Sequence, residues 1–340
     1  MSNLPVLFYI ILLVILGTTG ANSQSLPLII FDTDMGPDYD DVGALAMLHT
    51  LAAREECTIL ATVASDGHPS VAPTIEAINR YFGKPEIPVG IPSDQAPDFT
   101  AKNGWNDSLL HRFDPELRNK TNYPSAVDVY RQVLAEAEDH SITIVTVGFT
   151  TNLADLLDSS PDDYSNLSGI DLVRQKVRRY VAMAGMFPQG KEFNVFTDSE
   201  SSYKVFTRWP TPILFSGFEI GVQIKTGAKT AALPADENPV QWAYEYNLRT
   251  YAGQPEPNRS SWDQTAVLVA VRNPSEYFYI NGPGKFIIHQ DGHNEWDPDV
   301  DAHHYFLSHK YPYARIENLI ENLMMGRDDE GKDDSGSSPE

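Results

Sequence analysis

Apolar and polar positions alternate in blocks along the chain, and the blocks just after residue 24 are the most regular. Residues 26–31 form an apolar run, and residues 42–51 carry apolar and small side chains at helical spacing. The stretch between them, residues 32–41, contains five aspartates. This pattern predicts a buried strand, an acidic loop and a helix. We therefore expect the aspartates at the carboxyl end of a strand in an α/β sheet.

The same rhythm of strand and helix continues along the chain. The pattern predicts strands at residues 57–64, 87–91, 141–147, 177–183 and 212–216. It predicts helices at residues 70–82, 125–138, 151–157, 198–207, 239–251 and 313–325, and a further helix that opens at Trp262 and continues through residues 265–271. Strands that alternate with helices are typical of a parallel sheet. We predict a single α/β domain, residues 24–326, with helices flanking a mostly parallel, Rossmann-like open sheet.

Three segments depart from this rhythm. Residues 92–123 form a loop that is long for a compact domain, and such loops often act as lids. Residues 277–280 and 285–289, joined by Asn281-Gly282-Pro283-Gly284, predict a β-hairpin. Residues 327–340 are acidic and rich in Ser and Gly, which predicts a disordered tail.

The amino terminus has the features of a secretory signal. Residues 5–17 are apolar but too few to span a bilayer, and the small-x-small sequence Ala21-Asn22-Ser23 follows them. We predict cleavage after residue 23, which makes the mature chain secreted, extracellular and free of the membrane. Because no Lys or Arg precedes the apolar run, an uncleaved anchor is the alternative.

Four glycosylation sequons agree with secretion, although each alone is a weak match. They begin at Asn106, Asn119, Asn166 and Asn258. The one cysteine, Cys57, excludes an intramolecular disulfide and lies in an apolar run that is typical of the core. Stability must therefore come from the core, a metal or assembly, which leaves a homo-oligomer open.

The charge balance narrows the class of ligand. The chain has 25 Lys and Arg against 47 Asp and Glu, a formal net charge of −22. Nucleic-acid binding depends on basic patches, so we expect no nucleic-acid partner. A small neutral molecule or a metal cation is a more suitable ligand for a chain with this negative charge.

The five clustered aspartates indicate a cation site. Each ionised carboxylate raises the pKa of its neighbours, and a divalent cation removes that repulsion. Oxygen ligands favour Ca²⁺ or Mg²⁺ over Zn²⁺. The alternative is a solvated acidic turn in which Asp40 or Asp41 caps the following helix.

Four further stretches should lie beside the acidic loop, because the carboxyl ends of parallel strands meet at one edge of a sheet. They are residues 63–67, 146–152, 183–194 and 261–264. The motifs along these stretches are Asp32-Thr33-Asp34-x-Gly36 with Asp40-Asp41, Val147-Gly148-x-x-Thr151-Asn152, Glu192-Phe193-Asn194 and Trp262-Asp263. In this order they resemble the calcium-dependent nucleoside hydrolases of the inosine–uridine-preferring type, over nearly all of the mature chain.

The resemblance implies a catalytic calcium site. Ca²⁺ would be bound by Asp34, Asp41, Asp263 and the carbonyl of Val147. Asp34 would also take the proton from the attacking water. The implied reaction is hydrolysis of the N-glycosidic bond of ribonucleosides to free base and ribose, with a calcium-activated water and an oxocarbenium-like transition state.

The resemblance also implies the residues that bind the nucleoside. Asp40 would hold the ribose hydroxyls, and Glu192 and Asn194 would bind the ribose near its 5′-hydroxyl. Asp66 would contact the ribose as well. Asp32 would order the acidic loop.

Two positions depart from the family pattern. Pro37-Asp38-Tyr39 stands where one residue usually separates the glycine from the acidic pair, so Asp38 has no assigned role and competes with Asp40. Trp262 stands where better-known members have a histidine that is thought to protonate the departing base. Tryptophan can stack on a base, but its indole N–H has no suitable pKa for proton transfer to the base.

Two other functions remain open on the sequence. A nucleoside- or sugar-binding protein would keep the metal but lack the leaving-group acid. A phosphatase of the haloacid dehalogenase type also has an Asp-x-Asp motif after a strand, but it needs a lysine that the converging stretches lack. Phe149, Phe187, Phe193 and Trp262 could sandwich the base, although core packing is the more common role of any one of them. Four late histidines are expected at the surface or in loops, and the alternative is that one of them is the leaving-group acid. These histidines are His289, His293, His303 and His304.

Overall fold

The computed structural model describes residues 26–234 and 236–330 of the chain. Twelve strands lie in this part: β1 Leu28–Thr33, β2 Thr58–Ala64, β3 Val89–Gly90, β4 Ile142–Thr146, β5 Val177–Met183, β6 Gln189–Gly190, β7 Ile213–Ser216, β8 Lys225–Thr226, β9 Arg259–Ser260, β10 Phe278–Ile288, β11 Asn294–Pro298 and β12 His304–His309. The predicted signal, residues 1–23, lies outside the described residues.

Thirteen α-helices alternate with these strands in the described ranges. They are α1 Asp40–Ala53, α2 Val71–Tyr81, α3 Trp105–Phe113, α4 Ala126–Glu136, α5 Thr151–Asp158, α6 Gly169–Lys176, α7 Phe193–Thr197, α8 Ser199–Arg208, α9 Phe218–Gly221, α10 Ala228–Ala231, α11 Pro239–Thr250, α12 Trp262–Val271 and α13 Ala314–Met324. Two short 3₁₀ helices span Pro115–Asn119 and Pro274–Glu276. None of the described helices is long and apolar enough to cross a membrane.

Ten strands form one sheet in the order β3-β2-β1-β4-β5-β7-β12-β10-β11-β6. The pairings from β3 to β12 are parallel, and the remaining three are antiparallel. The predicted fold class, a single α/β domain with a mostly parallel sheet, is confirmed. Strand order reverses between β1 and β4, and ligands bind outside the carboxyl ends of strands at such a reversal.

Two of the helices beside this reversal are buried almost all round. In α1 the twelve residues from Asp40 to Leu51 are buried, and in α12 the eight from Asp263 to Ala270 are buried. Helices that are apolar on every face belong in a core. Their amino ends carry the aspartates, so a rigid part of the molecule holds the acidic side chains.

Two predicted segments have a different structure. Residues 92–123 contain α3 and a 3₁₀ helix, and Trp105 at the start of α3 is fully buried. This segment is therefore packed structure and not one long loop.

The predicted hairpin at 277–289 is wrong. Asn281–Gly284 lies within β10, where a bulge shifts its register against β12, and the strand turns only before β11. Gly282 has a φ of 135°, a conformation that glycine adopts without strain and that absorbs the extra residues.

The carboxyl-terminal boundary also differs from the prediction. Asp329 pairs with Arg54 at 2.8 Å and with Arg272 at 2.9 Å. Ion pairs thus extend to residue 329, three residues beyond 326, and residues 331–340 lie outside the described part.

Candidate active site

The acidic loop connects β1 to α1 as the sequence predicts. Asp34 follows the last residue of β1, and Asp40 and Asp41 occupy the first turn of α1. The positive end of the helix dipole favours carboxylates in that turn. Gly148, after β4, allows the two loops to meet, because a Cβ there would lie 2.5 Å from the backbone nitrogen of Asp34.

Three carboxylates from distant parts of the chain meet beside this loop. One oxygen from each of Asp40, Asp41 and Asp263 lies within 4.8 Å of the others, and all three residues are buried. The backbone N–H of Asp263 donates to Asp40 at 3.2 Å. Thr33 donates to one oxygen of Asp41, and the other oxygen, Oδ2, has no partner among the described residues.

Burial and mutual repulsion perturb these carboxyl groups. Burial raises the pKa of Asp40, Asp263 and Asp34 well above its ordinary range, and neighbouring carboxylates raise it further. Burial raises the pKa of Asp41 to about 6, and the hydrogen bond from Thr33 opposes that rise. An apolar interior does not tolerate three adjacent charges without a counter-charge.

The donor set is suited to a hard divalent cation. All three groups offer oxygen, and the unpaired, enclosed Oδ2 of Asp41 lacks the partner that a cation would supply. The set differs from the one the family resemblance implies, since Asp40 belongs to the tight group while Asp34 and Val147 lie beside it. Asp34 and Val147 nevertheless line the same cavity, so they stay predicted ligands.

A cavity of ≈ 250 Å³ opens from the carboxylate cluster. Fifteen residues line it: Asp34, Pro37, Asp38, Asp40, Asp41, Val147, Met183, Glu192, Phe193, Asn194, Phe218, Tyr251, Arg259, Trp262 and Asp263. Residues from all four of the predicted motifs are thus brought to one place. The volume is suited to a small organic molecule.

Glu192 and Asn194 form the wall beside Val147. The side chain of Asn194 donates to the carbonyl of Val147 at 2.9 Å. Glu192 accepts the backbone N–H groups of Asn194 and Val195, which caps α7. Burial raises the pKa of Glu192 to about 7, and these backbone bonds oppose the rise. The two polar side chains are therefore held in fixed positions.

Asp32 is not among the residues that line the cavity, and the chain itself supplies its hydrogen-bond partners. Its carboxylate accepts from Tyr130 at 2.8 Å and from Asn152 at 3.2 Å. Asn152 also donates to the carbonyl of Ala64 at 2.9 Å, so this cluster joins the ends of β1 and β2 to α5. Burial raises the pKa of Asp32 to about 7.

Asp66 is not among the residues that line the cavity, although its charge helps to raise the pKa of Asp34, so its contact with ribose stays a prediction. Its carboxylate accepts the backbone N–H groups of Phe99 at 3.1 Å and His68 at 2.7 Å. It borders a separate cavity of ≈ 320 Å³. The carboxylate is occupied in holding the segment after β2 against residues 97–99.

Asp38, unassigned on the sequence, forms an ion pair with Arg259 and lies in the cavity lining. Arg259 was missed at the sequence level. It is in the short strand β9, four residues before Asp263, and β9 pairs with β8. The nearby departures at Asp38 and Trp262 were the available signal, because an extra, partly buried acid is stabilised by a cationic partner.

Trp262 lines the cavity, but other groups already contact its indole. Phe218 stacks on it with ring centroids 5.4 Å apart, and the indole N–H donates to the Phe218 carbonyl at 2.9 Å. Phe193 is 42% exposed and presents a freer ring to the cavity, while Phe149 is fully buried behind it. Phe187 packs on Phe306, away from the lining.

The late histidines lie elsewhere. His303 and His304 border another cavity, and His289 pairs with Glu295. Burial lowers the pKa of His304 to about 4. Among the described residues, the cavity lining includes no histidine.

The sequons differ in exposure. Asn119 and Asn166 are exposed, whereas Asn106 is 3% exposed and its amide donates to the carbonyl of Met35 at 3.0 Å. The prediction of a glycan at Asn106 is therefore wrong for the folded chain. The side-chain oxygen of Asn258 accepts from the backbone of Ala228 at 2.9 Å.

Residues 29–310 match the family model for inosine-uridine preferring nucleoside hydrolases. The chain belongs to this family. An uncharacterised protein of Schizosaccharomyces pombe is 28% identical over 69% of this nucleoside hydrolase and 79% of the relative. The pyrimidine-specific ribonucleoside hydrolase RihA of Klebsiella pneumoniae is 30% identical, over 63% of this chain and 65% of that hydrolase. The chain thus spans just under two thirds of RihA.

A solved inosine-guanosine nucleoside hydrolase has the same fold. It superposes with a TM-score of 0.66 at 17% identity and covers 88% of this chain and 99% of its own. The class of chemistry of this nucleoside hydrolase is hydrolysis of N-glycosyl compounds.

Proposed function

We propose that this nucleoside hydrolase cleaves the N-glycosidic bond of ribonucleosides and releases the free base and ribose. The observation that carries the proposal is the buried carboxylate cluster at one end of the cavity, with an unpaired Asp41 oxygen. The fixed side chains of Glu192 and Asn194 line the same cavity. A polar site of this kind is suited to a sugar that carries several hydroxyl groups.

We propose Ca²⁺ as the cofactor, held by the carboxylates of Asp40, Asp41 and Asp263, with Asp34 and the Val147 carbonyl at the same edge of the cavity. When bound, a divalent cation lowers the pKa of water and fixes its position. The carboxylate of Asp34 would accept a proton from the attacking water. The surrounding carboxylates would stabilise the positive charge that develops on the ribose as the bond breaks.

Glu192 and Asn194 would position the ribose. Asn194 is anchored to Val147, and Glu192 to the first turn of α7, so neither side chain needs to be ordered when the sugar binds. A prearranged site places the anomeric carbon within reach of the water, which lowers the entropic barrier.

The experiment is an assay of the purified chain against uridine, cytidine, inosine, guanosine and the matching nucleotides, with free ribose and free phosphate measured. Ribose without phosphate supports the proposal. Binding without release of ribose indicates a nucleoside-binding protein. Phosphate release would indicate the phosphatase, which the family match and the engagement of Asp32 by Tyr130 and Asn152 disfavour.

We also propose secretion after cleavage at residue 23 and glycosylation at Asn119 and Asn166, because both side chains are exposed. Expression with the leader in a eukaryotic secretory system, followed by peptide mass mapping, tests both points. An intact leader on the secreted chain, or a glycan on Asn106 of the folded chain, would contradict them.

A further inference from the structure

The charged residues of the cavity lining are acidic, except for one arginine. Six of its fifteen residues are acidic, and Arg259 is the one basic residue among them. A cation placed among carboxylates at a substrate site calls for a functional explanation as well as a structural one.

The guanidinium of Arg259 is held in a fixed orientation. It pairs with Asp38, and its Cζ lies 5.3 Å, 5.0 Å and 5.2 Å from the ring centroids of Tyr39, Tyr251 and Trp262. The side chain is 15% exposed. Burial lowers its pKa to about 10, so the group keeps its charge at neutral pH.

This orientation leaves donors of Arg259 unused. A guanidinium has five N–H donors. Asp38 is its one hydrogen-bond acceptor among the described residues, and Nε is buried with no partner. Nε is enclosed by the protein, so Nη1, which donates to no described residue, is the donor left for a charge that develops in the cavity during a reaction.

The proposed reaction produces such a charge. When the bond between the anomeric carbon and the base nitrogen breaks, its electron pair stays on the base. No histidine lies in the described lining, and Trp262 cannot donate a proton. The hydroxyl of Tyr251 donates to the carbonyl of Pro37, and burial together with nearby carboxylates raises its pKa, which makes it a poor acid.

We propose that Arg259 stabilises the departing base by donating hydrogen bonds to it, in place of a leaving-group acid; this inference rests on the proposed ribonucleoside hydrolysis. The C–N bond breaks and leaves its electron pair on the base, while water adds to the anomeric carbon and gives one proton to Asp34. The base takes a proton from solvent after it departs. Asp34 returns its proton to solvent, and Arg259 keeps its own throughout.

An alternative role for Arg259 is to bind an anionic group already present on a substrate, such as a phosphate. The electrostatics favour the first role. Asp38 neutralises much of the guanidinium charge, and Glu192, which lies outside the proposed cation ligands, adds repulsion toward a preformed anion. A base that gains charge only as the bond breaks avoids that repulsion on entry.

The test compares two ribosides whose leaving groups differ in how much stabilisation they need from the enzyme. Inosine needs stabilisation of its base, whereas 4-nitrophenyl riboside releases a stable anion. We expect Arg259→Gln to lower kcat for inosine by about 10²-fold and kcat for the activated riboside by less than about 5-fold, as for removal of a transition-state donor. Arg174→Gln, an exposed arginine paired with Asp171, is the matched control and should leave both rates unchanged.

A second variant guards against misfolding. Arg259→Lys keeps the charge but loses the planar fork, so it should show a smaller loss that is again confined to inosine. Circular dichroism and calcium titration check that each variant retains its fold and cation site. Equal losses on the two ribosides, or no loss on either, would overturn the proposal.

A third substrate and the unaltered chain complete the design. A loss confined to inosine 5′-monophosphate, seen as a raised KM, would assign Arg259 to anion binding and overturn its role toward the base. Ribose release from inosine by the unaltered chain tests the proposed function separately. If neither riboside is cleaved by the unaltered chain, both proposals fail.

Discussion

Two buried aspartates beside β1 have opposite surroundings. Asp32 and Asp41 are each 0% exposed. The carboxylate of Asp32 accepts hydrogen bonds from Tyr130 and Asn152, so the chain supplies its partners. Asp41 receives one hydrogen bond from Thr33, and its Oδ2 has none. Asp32 therefore has a structural role, whereas the unpaired oxygen of Asp41 remains able to bind a ligand.

Two arginines, one buried and one largely buried, show the same contrast with the opposite charge. Arg131 is 1% exposed and donates to both oxygens of Asp162, to Ser159 and to two backbone carbonyls. Arg259 has Asp38 as its one acceptor in the described structure. Buried polar groups are nearly always paired, so the unpaired Oδ2 of Asp41 and Nε of Arg259, both on residues of the cavity lining, call for an explanation.

The largest expected effect comes from the unpaired cluster. Asp263→Ala should abolish retention of calcium and lower ribose release by more than about 10²-fold, because even residues that only support a metal ligand contribute about 10–100-fold. Elemental analysis and the ribose assay measure these effects. Asp297→Ala, on the exposed face of β11, is the control. Full calcium occupancy in the Asp263 variant would remove this residue from the ligand set.

The paired arginine should affect stability instead. Arg131→Gln leaves Asp162 and two carbonyls without their donor, and we expect it to lower the free energy of unfolding by about 3 kcal/mol. Urea titration followed by circular dichroism measures the change. Turnover per folded molecule should stay unchanged in dilute urea-free buffer. A loss of turnover without a loss of stability would show that Arg131, like Arg259, has a role in the reaction, and would contradict this prediction.

A buried histidine extends the comparison to pH. His49 bonds to Asn79 at 2.8 Å and stacks on Phe82, and burial lowers its pKa to about 4 from a usual 6.5. Between these values the unfolded chain binds a proton that the folded chain does not, so acid favours unfolding. We expect the free energy of unfolding to fall by about 2 kcal/mol between pH 7 and pH 5 from this residue.

The variant His49→Gln isolates this contribution. Its stability should vary less with pH over the same range, even if it is lower at pH 7. Parallel curves for the variant and the unaltered chain would show that another group titrates instead.

The smallest effect is expected at Asp32. Burial raises its pKa to about 7, so the carboxyl is partly protonated at neutral pH and an amide resembles that form. Asp32→Asn should lower the free energy of unfolding by about 1 kcal/mol, because one donor now faces another. Calcium binding should persist, as titration calorimetry can show. Loss of the cation would make Asp32 part of the site.

Much of the fold and part of the site follow from local patterns. The apolar runs and helical spacings predict β1, α1 and most of the alternating elements, because each is set by which face of a short segment is buried. The motifs also predict that Asp34, Asp41, Glu192, Asn194 and Asp263 share one cavity, as they do. Local sequence patterns are enough to predict the site residues that follow parallel strands, because the strand order brings these loops together.

The remaining features depend on contacts between distant segments. The role of Arg259 could be recognised only from its ion pair with Asp38, which lies 221 positions earlier in the chain. Asp66 resembles a site residue in sequence, and its hydrogen bonds from the N–H groups of Phe99 and His68 could not be foreseen there. The Gly-Pro-Gly within β10 has the composition of a turn, and pairing with β12 overrides that preference. Each case was decided by tertiary pairing, which a single sequence does not display.

The long separation between Asp40 and Asp263 also sets an order of events during synthesis. The two residues are 223 positions apart, and β12, at residues 304–309, is inserted between β7 and β10. At the usual rate of translation, on the order of 10–45 s pass between synthesis of the two aspartates. Through that interval the nascent chain has repelling acids and an open sheet edge, with no complete site for a cation. The carboxylate cluster is therefore complete only after residue 263 has been synthesised, so the proposed cation can bind only late in synthesis or after it.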